Sequence, residues 1–531
     1  MLNSLQATRG MAVAPHSLAS QSALAILRDG GNAVEAMIAA AATIAVTYPH
    51  MNSIGGDGFW TISVPGQPVL GIEAAGTAAS AVSRGFYESR GLAAIPHRGQ
   101  LAANTVAATI SGWDAAYAYA REIGGKMPLS RLLSDAIHYA RVGISVTKSQ
   151  AENTRNKLEE LIGQPGFRET FTQDGQLPAP GALFRQPRLA TTLERLATDG
   201  LDSFYRGALA QDIAADLAAV GSPVAAQDLA AYRARRVTPL HLQHSTGDLY
   251  NMTPPTQGLV SLIILALLDH LNLDQYSADS PEHVHLAVEA TKQAFLIRDK
   301  YITDPDHMQI APQDCLTDAF LNPYLAAIRT DKALPWGSGK GPGDTVWMGV
   351  IDGEGRAVSF IQSIYHEFGS GIVLPKTGIT WQNRGCSFSL DPDHINTLEP
   401  GKKPFHTLNP ALARFSDGRV MVYGTMGGDG QPQTQAAVFT RVAVFGQHPQ
   451  QAITAPRWLL GRTWGMASES LKLESRFDAD MVARLKALGH DVELLADFDE
   501  SVGHAGAILR HPNGTFEGGA DPRSNGSVAG F

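Results

Sequence analysis

Cysteine is nearly absent from this chain, whose 531 residues include only Cys315 and Cys386. The two lie far apart and in no Cys-x-x-Cys pattern, so the sequence indicates neither a disulfide framework nor a zinc site. Thiols of this kind are typical of a reducing compartment. His283 and His285 do not suggest a metal pair either, because residues two apart on a helix point to different faces. We therefore expect no metal and no organic cofactor.

Clusters of positive charge and long apolar runs are also missing. The formal net charge is −9, and no basic stripe marks a nucleic-acid surface. The longest apolar run, residues 258–268, is too short to cross a bilayer and predicts a buried helix instead. Residues 1–17 contain no apolar segment of signal-peptide length. These absences favour a cytoplasmic protein with neither nucleic-acid nor membrane partners.

The most informative stretch runs from residue 337 to residue 371. A Gly/Pro-rich linker, 337–343, ends in Asp344, and Thr345 follows it at the start of an apolar run that predicts a strand. A turn at 353–355 and a second apolar run predict the returning strand of a hairpin. A threonine thus lies where a flexible linker meets a buried hairpin, which suggests that the linker is cut there.

Cleavage of the Asp344–Thr345 bond would give Thr345 a free α-amine with a pKa of about 7.7–8.0. That amine can accept the proton of the threonine's own hydroxyl near neutral pH, so one residue supplies both nucleophile and base. An ordinary threonine between a loop and a strand remains the alternative at this point.

The segments before and after this junction differ in their predicted secondary structure. Before it, apolar residues three and four apart predict helices at 15–28, 33–46, 112–123, 129–142, 148–162, 187–199, 204–220 and 281–300, with strands at 60–64 and 240–252. After it, strands are predicted at 345–352, 357–363, 379–381, 411–415, 420–423, 471–473, 492–494, 507–510 and 515–518, with helices at 432–445 and 479–488. A helix-rich first part and a strand-rich second part favour one mixed α+β core built from both.

A glycine-rich loop, residues 55–58, leads into the first predicted strand. It lacks the Lys-Ser/Thr pair of a phosphate-binding loop, and no helix clearly follows it, so close backbone packing is the better interpretation. Asp57, inside this loop, could be a turn residue, a general acid or a metal ligand.

Several short motifs, in their order and spacing, make the chain resemble the γ-glutamyltranspeptidase family of N-terminal-nucleophile hydrolases. The motifs are the loop 55–59, the Asp344–Thr345 junction with its hairpin, and the segments 368–371, 403–404, 409–410, 427–428, 455–457 and 521–523. The resemblance covers nearly the whole length. It implies a four-layer αββα fold and self-cleavage before Thr345. The products would be a large chain, 1–344, and a small chain, 345–531, which form a heterodimer or a heterotetramer of two such pairs.

Two further positions match the family's catalytic groups. Gly427 and Gly428 follow a predicted strand and precede a helix, where backbone N–H groups can hold an oxyanion without side-chain obstruction. A plain strand-to-helix turn is the alternative, and the resemblance implies the oxyanion site. Ser363 ends the strand that returns beside Thr345, where relatives carry a hydroxyl that supports the nucleophile. A plain serine at a strand end is the alternative.

The substrate pocket departs from the family pattern. Ile72 stands where relatives have an arginine for the α-carboxylate, Ser387 replaces the aspartate for the α-amino group, and Tyr365 replaces an asparagine. A pair of serines appears as His406 and Thr407. The receptor for a zwitterionic amino-acid head is therefore incomplete, and the loss of the aspartate argues for a substrate without an ammonium group.

Arg384 is a new charge in the same region. A guanidinium binds a carboxylate through two parallel N–H bonds, and His406 could donate to the same group. A surface ion pair for Arg384 and a structural histidine are the alternatives. Bulky residues at 72 and 365 would shrink the pocket, so we expect a small amide that carries a carboxylate.

These features favour a self-activating amidohydrolase, and the departures resemble the oxamate amidohydrolase branch of the family. That branch releases oxalate and ammonia during nitrogen recovery from purines. One alternative is a γ-glutamyl hydrolase or transferase, or another amide acylase of the family. The alternative of a different class is an uncleaved, inactive relative that acts as a binding protein.

Overall fold

The structure of the chain is a computed structural model that describes residues 3–172, 175–337, 344–461 and 468–531. The predicted linker 337–343 therefore lies outside the described residues, except for its first position. The helices, in chain order, are α1 (Ser17–Arg28), α2 (Ala33–Thr47), α3 (Arg84–Glu88), α4 (Thr109–Glu122), α5 (Leu129–Leu132), α6 (Ser134–Val142), α7 (Lys148–Leu161), α8 (Phe167–Phe171), α9 (Pro187–Asp199), α10 (Ala208–Ala219), α11 (Ala226–Ala231), α12 (Gly258–Asp269), α13 (Pro281–Tyr301), α14 (Asp318–Ala327), α15 (Gln431–Ala443), α16 (Pro449–Thr454) and α17 (Ala479–Ala487).

The strands of the described residues fall into two large sheets and two small ones. In chain order they are β1 (Leu5–Ala7), β2 (Gly10–Ala14), β3 (Asp57–Ser63), β4 (Leu70–Ala74), β5 (Ile144–Ser145), β6 (Leu183–Phe184), β7 (Arg235–Val237), β8 (Leu240–His244), β9 (Gly247–Asn251), β10 (Asp344–Asp352), β11 (Ala357–Tyr365), β12 (Ala411–Phe415), β13 (Val420–Gly424), β14 (Trp458–Leu460), β15 (Leu471–Glu474), β16 (Val492–Leu495), β17 (Gly506–Arg510), β18 (Phe516–Ala520) and β19 (Ser527–Gly530).

The two large sheets are antiparallel throughout and stack face to face. The first sheet has the strand order β1-β18-β17-β13-β12-β9-β8, and the second has the order β19-β2-β10-β11-β3-β4-β7. Alternate side chains of facing strands, such as Trp347, Phe59 and Leu412, form an apolar layer between the sheets.

Helices cover the outer face of each sheet and complete four layers. On the second sheet, α2 is buried at every position and is held at its start by a capping box between Asn32 and Glu35. The long helices α12 and α13 and the later α15 cover the first sheet in a separate apolar core. The predicted αββα arrangement is therefore confirmed.

Each large sheet contains strands from both sides of residue 345. In the second sheet, β10 pairs with β2 and β11 pairs with β3, so the segment after Thr345 lies between strands that precede it. In the first sheet, β12 pairs with β9 in the same way. The two segments share one core, and neither could fold as an independent module.

Three strand predictions need correction. The single strand predicted at 240–252 is the hairpin β8–β9, which turns at Ser245 and Thr246. Residues 379–381 make only isolated bridges to Val373 and Gly55 instead of a strand. The predictions also omitted β2, which is a central strand beside β10. No helix among the described residues is long and apolar enough to cross a membrane.

Candidate active site

Thr345 lies at the beginning of β10, at an irregularity in the hairpin. Asp344 pairs with Tyr365 and Val346 pairs with Gln362, so the register shifts at Thr345 between them. A bulge of this kind re-aims one side chain out of the regular ladder. Thr345 is 1% exposed, and its hydroxyl is 3.4 Å from the side-chain nitrogen of Gln431. The threonine is thus buried between the two sheets with a polar contact in reach.

Ser363 lies on β11, across this irregularity from Thr345. Its hydroxyl accepts a 2.8 Å hydrogen bond from the backbone N–H of Tyr365, and its backbone faces the glycine-rich loop. A Cβ atom on Gly56 would stand 2.1 Å from the carbonyl oxygen of Ser363, so only glycine fits there. This contact agrees with the close backbone packing predicted for the loop.

Gly427 and Gly428 form the turn between β13 and α15. Both have left-handed backbone conformations, with φ of 113° and 52°, which glycine adopts without strain. Among the described residues, neither glycine's N–H has a hydrogen-bond acceptor. The turn leads directly into Gln431, the first residue of α15, so the helix N-terminus is directed toward Thr345. Unpaired N–H groups at such an N-terminus favour a developing negative charge.

A network of buried amide side chains supports this turn, and no sequence pattern predicted it. Gln431 accepts a 3.1 Å hydrogen bond from the side chain of Asn409. Gln257 donates to the carbonyl oxygens of Gly428 at 2.8 Å and of Thr407 at 3.0 Å. The signal available in the sequence was the run of glutamines at 431, 433 and 435, whose partners come from distant segments.

Arg384 is buried, with 1% exposure, and it is not a surface ion pair. Its guanidinium stacks on the ring of Tyr365 at 3.8 Å, and one nitrogen is 3.5 Å from the carbonyl oxygen of Phe405. The other terminal nitrogen has no hydrogen-bond partner, and no carboxylate of the described residues lies within 4.0 Å. Burial lowers the pKa of Arg384 from its ordinary value. The site therefore contains a buried guanidinium with no carboxylate in ion-pair range among the described side chains, and Asp57 acts on it electrostatically from farther away.

His406 lies beside Asp57 under this region. Its Nε2 is 3.5 Å from a carboxyl oxygen of Asp57, and both residues are buried. The other carboxyl oxygen accepts hydrogen bonds from the Gly76 N–H at 2.8 Å and from Gln382 at 3.1 Å. Burial raises the pKa of Asp57 to about 7, against the lowering effect of these bonds and of Arg384. Burial, followed by Arg384, holds the pKa of His406 well below its usual range.

Tyr365, Ser387 and Thr407 line a cavity of about 450 Å³. The Ser387 hydroxyl donates to the carbonyl oxygen of Phe405 at 3.2 Å, and the hydroxyl of Thr407 has no partner among the described residues. Tyr365 has a φ of 81°, which is rare for a residue other than glycine and is typical of functional sites. The structure thus brings these three residues together beside Arg384.

Ile72 is not part of this group, and its predicted place in the pocket needs correction. It lies on β4 opposite Trp60, in the apolar core between the second sheet and its helices. Because side chains alternate along a strand, the neighbouring Glu73 faces the other side, where it pairs with Lys403. Ile72 therefore fills the outer core and cannot shrink the pocket.

Comparisons with known proteins agree with this architecture. A family model described as gamma-glutamyltranspeptidase matches residues 19–531. The chain is 61% identical to the oxamate amidohydrolase proenzyme of Klebsiella pneumoniae and 41% identical to a glutathione hydrolase-like proenzyme of Bacillus subtilis, with 100% of each chain covered. The crystal structure of a cephalosporin acylase from Bacillus halodurans superposes with a TM-score of 0.90 at 33% identity, over 100% of this chain and 97% of that one. The chain therefore belongs to the gamma-glutamyltranspeptidase family.

Proposed function

We propose that the chain is a self-processing amidohydrolase that uses Thr345 to hydrolyse a small amide bearing a carboxylate, with oxamate as the substrate. The observation that carries this proposal is the buried guanidinium of Arg384, which lies beside the cavity and has no carboxylate in ion-pair range among the described side chains. A buried cation is costly without a counter-ion, so a bound carboxylate would complete the site. The 61% identical relative named as an oxamate amidohydrolase proenzyme supports the same substrate.

The first step is activation of the precursor. The Thr345 hydroxyl attacks the carbonyl carbon of Asp344, the peptide nitrogen leaves as the α-amine of Thr345, and water hydrolyses the resulting ester. The products are chains 1–344 and 345–531. Because β10 and β11 lie between strands of the first segment, the two chains would stay together as a heterodimer.

The second step is hydrolysis of the substrate amide. The Thr345 α-amine takes the hydroxyl proton as the oxygen attacks the amide carbon, and the N–H groups of Gly427 and Gly428 hold the oxyanion. The amine then gives its proton to the departing ammonia. Water clears the acyl-enzyme by the same route in reverse, and Ser363 supports the nucleophile from across the bulge.

The groups around Arg384 fit a small carboxylate better than an amino-acid head, although Asp429 also lines the cavity. Arg384 would hold the carboxylate, the unpaired hydroxyl of Thr407 can hydrogen-bond to it, and Tyr365 keeps the guanidinium in place. Ser387 offers a neutral hydroxyl, already bonded to a carbonyl, where an ammonium group would need a carboxylate. His406 is fully buried 3.5 Å from Asp57 and does not line the cavity, so it would act on the charges around Arg384 and not touch the substrate.

The test measures ammonia release from oxamate by the wild type, Arg384→Met and Arg384→Lys, with Arg141→Lys as the matched control because Arg141 pairs with Glu194 on the exposed surface. Loss of a charged hydrogen bond is worth about 1.5–3 kcal/mol, so kcat/KM should fall about 10- to 100-fold in Arg384→Met and remain unchanged in the control.

A γ-glutamyl anilide serves as the competing substrate. Faster turnover of the anilide than of oxamate would favour the γ-glutamyl alternative. Unchanged oxamate turnover in Arg384→Met would show that Arg384 does not bind the substrate carboxylate.

A further inference from the structure

Three metal-ligating side chains meet at the mouth of the cavity, and the proposed mechanism uses none of them. His97, His366 and Cys386 each offer a ligand atom, and these atoms lie within 4.8 Å of one another. All three residues line the same cavity as Tyr365 and Ser387. His97 is exposed on a loop, His366 is buried with 6% exposure, and Cys386 is partly exposed.

One buried residue, Asn383, hydrogen-bonds to the backbone of all three residues. Asn383 donates through its amide nitrogen to the carbonyl oxygen of His97 at 2.8 Å and accepts at its amide oxygen from the N–H of His366 at 3.1 Å. Its own carbonyl oxygen accepts from the N–H of Cys386 at 3.0 Å. His97 is far from the other two residues in the sequence, so this shared anchor explains how its loop comes to lie beside them.

The ligand atoms themselves are available. Among the described residues, neither the ring nitrogens of His97 and His366 nor the Cys386 sulfur has a hydrogen-bond partner. The two imidazole rings stack at 5.2 Å, with an angle of 23° between their planes. A ring nitrogen without a protein partner keeps its lone pair available for a cation.

We propose that His97, His366 and Cys386 form a Zn²⁺ site that closes the mouth of the cavity. Tetrahedral zinc with nitrogen and thiolate ligands needs ligand separations of about 3.3–3.6 Å, and a rotation of the exposed His97 side chain can close the remaining gap. Binding releases the Cys386 thiol proton to solvent, the two imidazoles coordinate as neutral ligands, and water takes the fourth position.

Some charged groups around the site favour a bound cation and others oppose it. Arg98 lies next to His97, but Glu160 accepts a 3.1 Å hydrogen bond from it and Glu367 lies 3.9 Å away. Burial raises the pKa of the Cys386 thiol to about 12, while nearby Arg384 lowers it. Zn²⁺ bound by one thiolate and two neutral imidazoles keeps a net positive charge, so Arg384 and Arg98 oppose its binding, while Glu160 and Glu367 favour it.

A second candidate group, His285, Glu289 and His490, does not qualify. His285 and His490 share a 2.8 Å hydrogen bond, and Glu289 pairs with Lys292 at 2.7 Å. An ammonium group at the carboxylate and two imidazoles bonded to each other leave no open ligand for a cation. The cavity site is therefore the one that the contacts support.

The test titrates Zn²⁺ into the purified protein by calorimetry and Co²⁺ by absorption spectroscopy. We expect one metal per chain and a thiolate-to-Co²⁺ band in the near ultraviolet. His97→Ala and Cys386→Ala should each weaken binding at least about 10-fold, since even outer-shell changes cost 10- to 100-fold. The matched controls are His138→Ala, also exposed, and Cys315→Ala. Absent binding, or binding that both variants retain, would overturn the site.

The proposal that bound Zn²⁺ closes the cavity rests on the proposed function, and inhibition of oxamate hydrolysis tests it separately from metal binding. Zn²⁺ should inhibit oxamate hydrolysis by the wild type, a chelator should reverse the inhibition, and His97→Ala should resist it. Zinc that binds without reducing turnover would overturn the closure. If no amide is hydrolysed at all, the two titrations still decide the metal site, so the failure of one proposal is distinct from the failure of the other.

Discussion

Asp57 should make both stability and substrate affinity depend on pH around neutrality. Burial raises the pKa of its carboxyl to about 7, whereas the unfolded chain releases that proton near the ordinary value of 3.8. Because the folded state binds the proton more tightly, stability is greatest at low pH and falls as pH rises toward 7. The difference between the two pKa values corresponds to about 4 kcal/mol in total, and to about 2 kcal/mol between pH 5 and pH 7.

Asp57→Asn isolates this effect. The asparagine oxygen can keep the hydrogen bonds from Gly76 and Gln382, and its nitrogen can face His406. Urea denaturation between pH 5 and pH 8.5 should show the wild type losing about 3 kcal/mol relative to Asp57→Asn. Measurements in the Thr345→Ala background keep every sample a single chain. Asp393→Asn, at an exposed position, should follow the wild type.

The same proton should control the carboxylate receptor. Above pH 7 the ionised Asp57 attracts the guanidinium of Arg384 and competes with the substrate, so the KM for oxamate should rise with pH in the wild type. Asp57→Asn should remove that rise. Parallel stability curves for the wild type and Asp57→Asn, together with a flat KM, would show that Asp57 is ionised throughout and would refute this reasoning.

Two further predictions concern the nucleophile's neighbour and the buried charges near the C-terminus. Gln431→Met removes the donor to the Thr345 hydroxyl and should slow self-cleavage about 2- to 10-fold by mass spectrometry, and Gln211→Met, at an exposed helix position, should not. Arg523→Met leaves two buried carboxylates without their shared partner and should lose about 3–5 kcal/mol in urea. Arg141→Met, at the surface, should lower the free energy of unfolding by less than about 1 kcal/mol. Equal losses in Arg523→Met and Arg141→Met would contradict a role for the buried charges.

Long periodic segments were predictable from the sequence. The predictions 187–199 and 411–415 match α9 and β12 at both ends, because each pattern is bounded by a clear break. Strand β2 was missed because five residues near the N-terminus carry too little pattern to distinguish a central strand from a tail. The hairpin β8–β9 looked like one strand because its turn contains neither proline nor an Asn-Gly pair.

Some features of the candidate site could be predicted from the sequence and others could not. The linker followed by Thr345, the glycine pair and Arg384 could be recognised because each combines an unusual residue with an unusual place in the chain. Ile72 was misplaced because strand alternation decides which face a side chain occupies, and a shift of one residue reverses the answer. The amide network and the His97, His366 and Cys386 cluster depend on contacts between distant segments, which no local pattern reveals.

Intact mass spectrometry of the purified wild type beside Thr345→Ala tests the central claim most directly. The account predicts two masses for the wild type, 1–344 and 345–531, and a single full-length mass for the variant. A single full-length mass in the wild type after prolonged incubation would contradict it. Thr345 would then be an ordinary strand residue, and the interpretation of the chain as an uncleaved binding protein would take precedence.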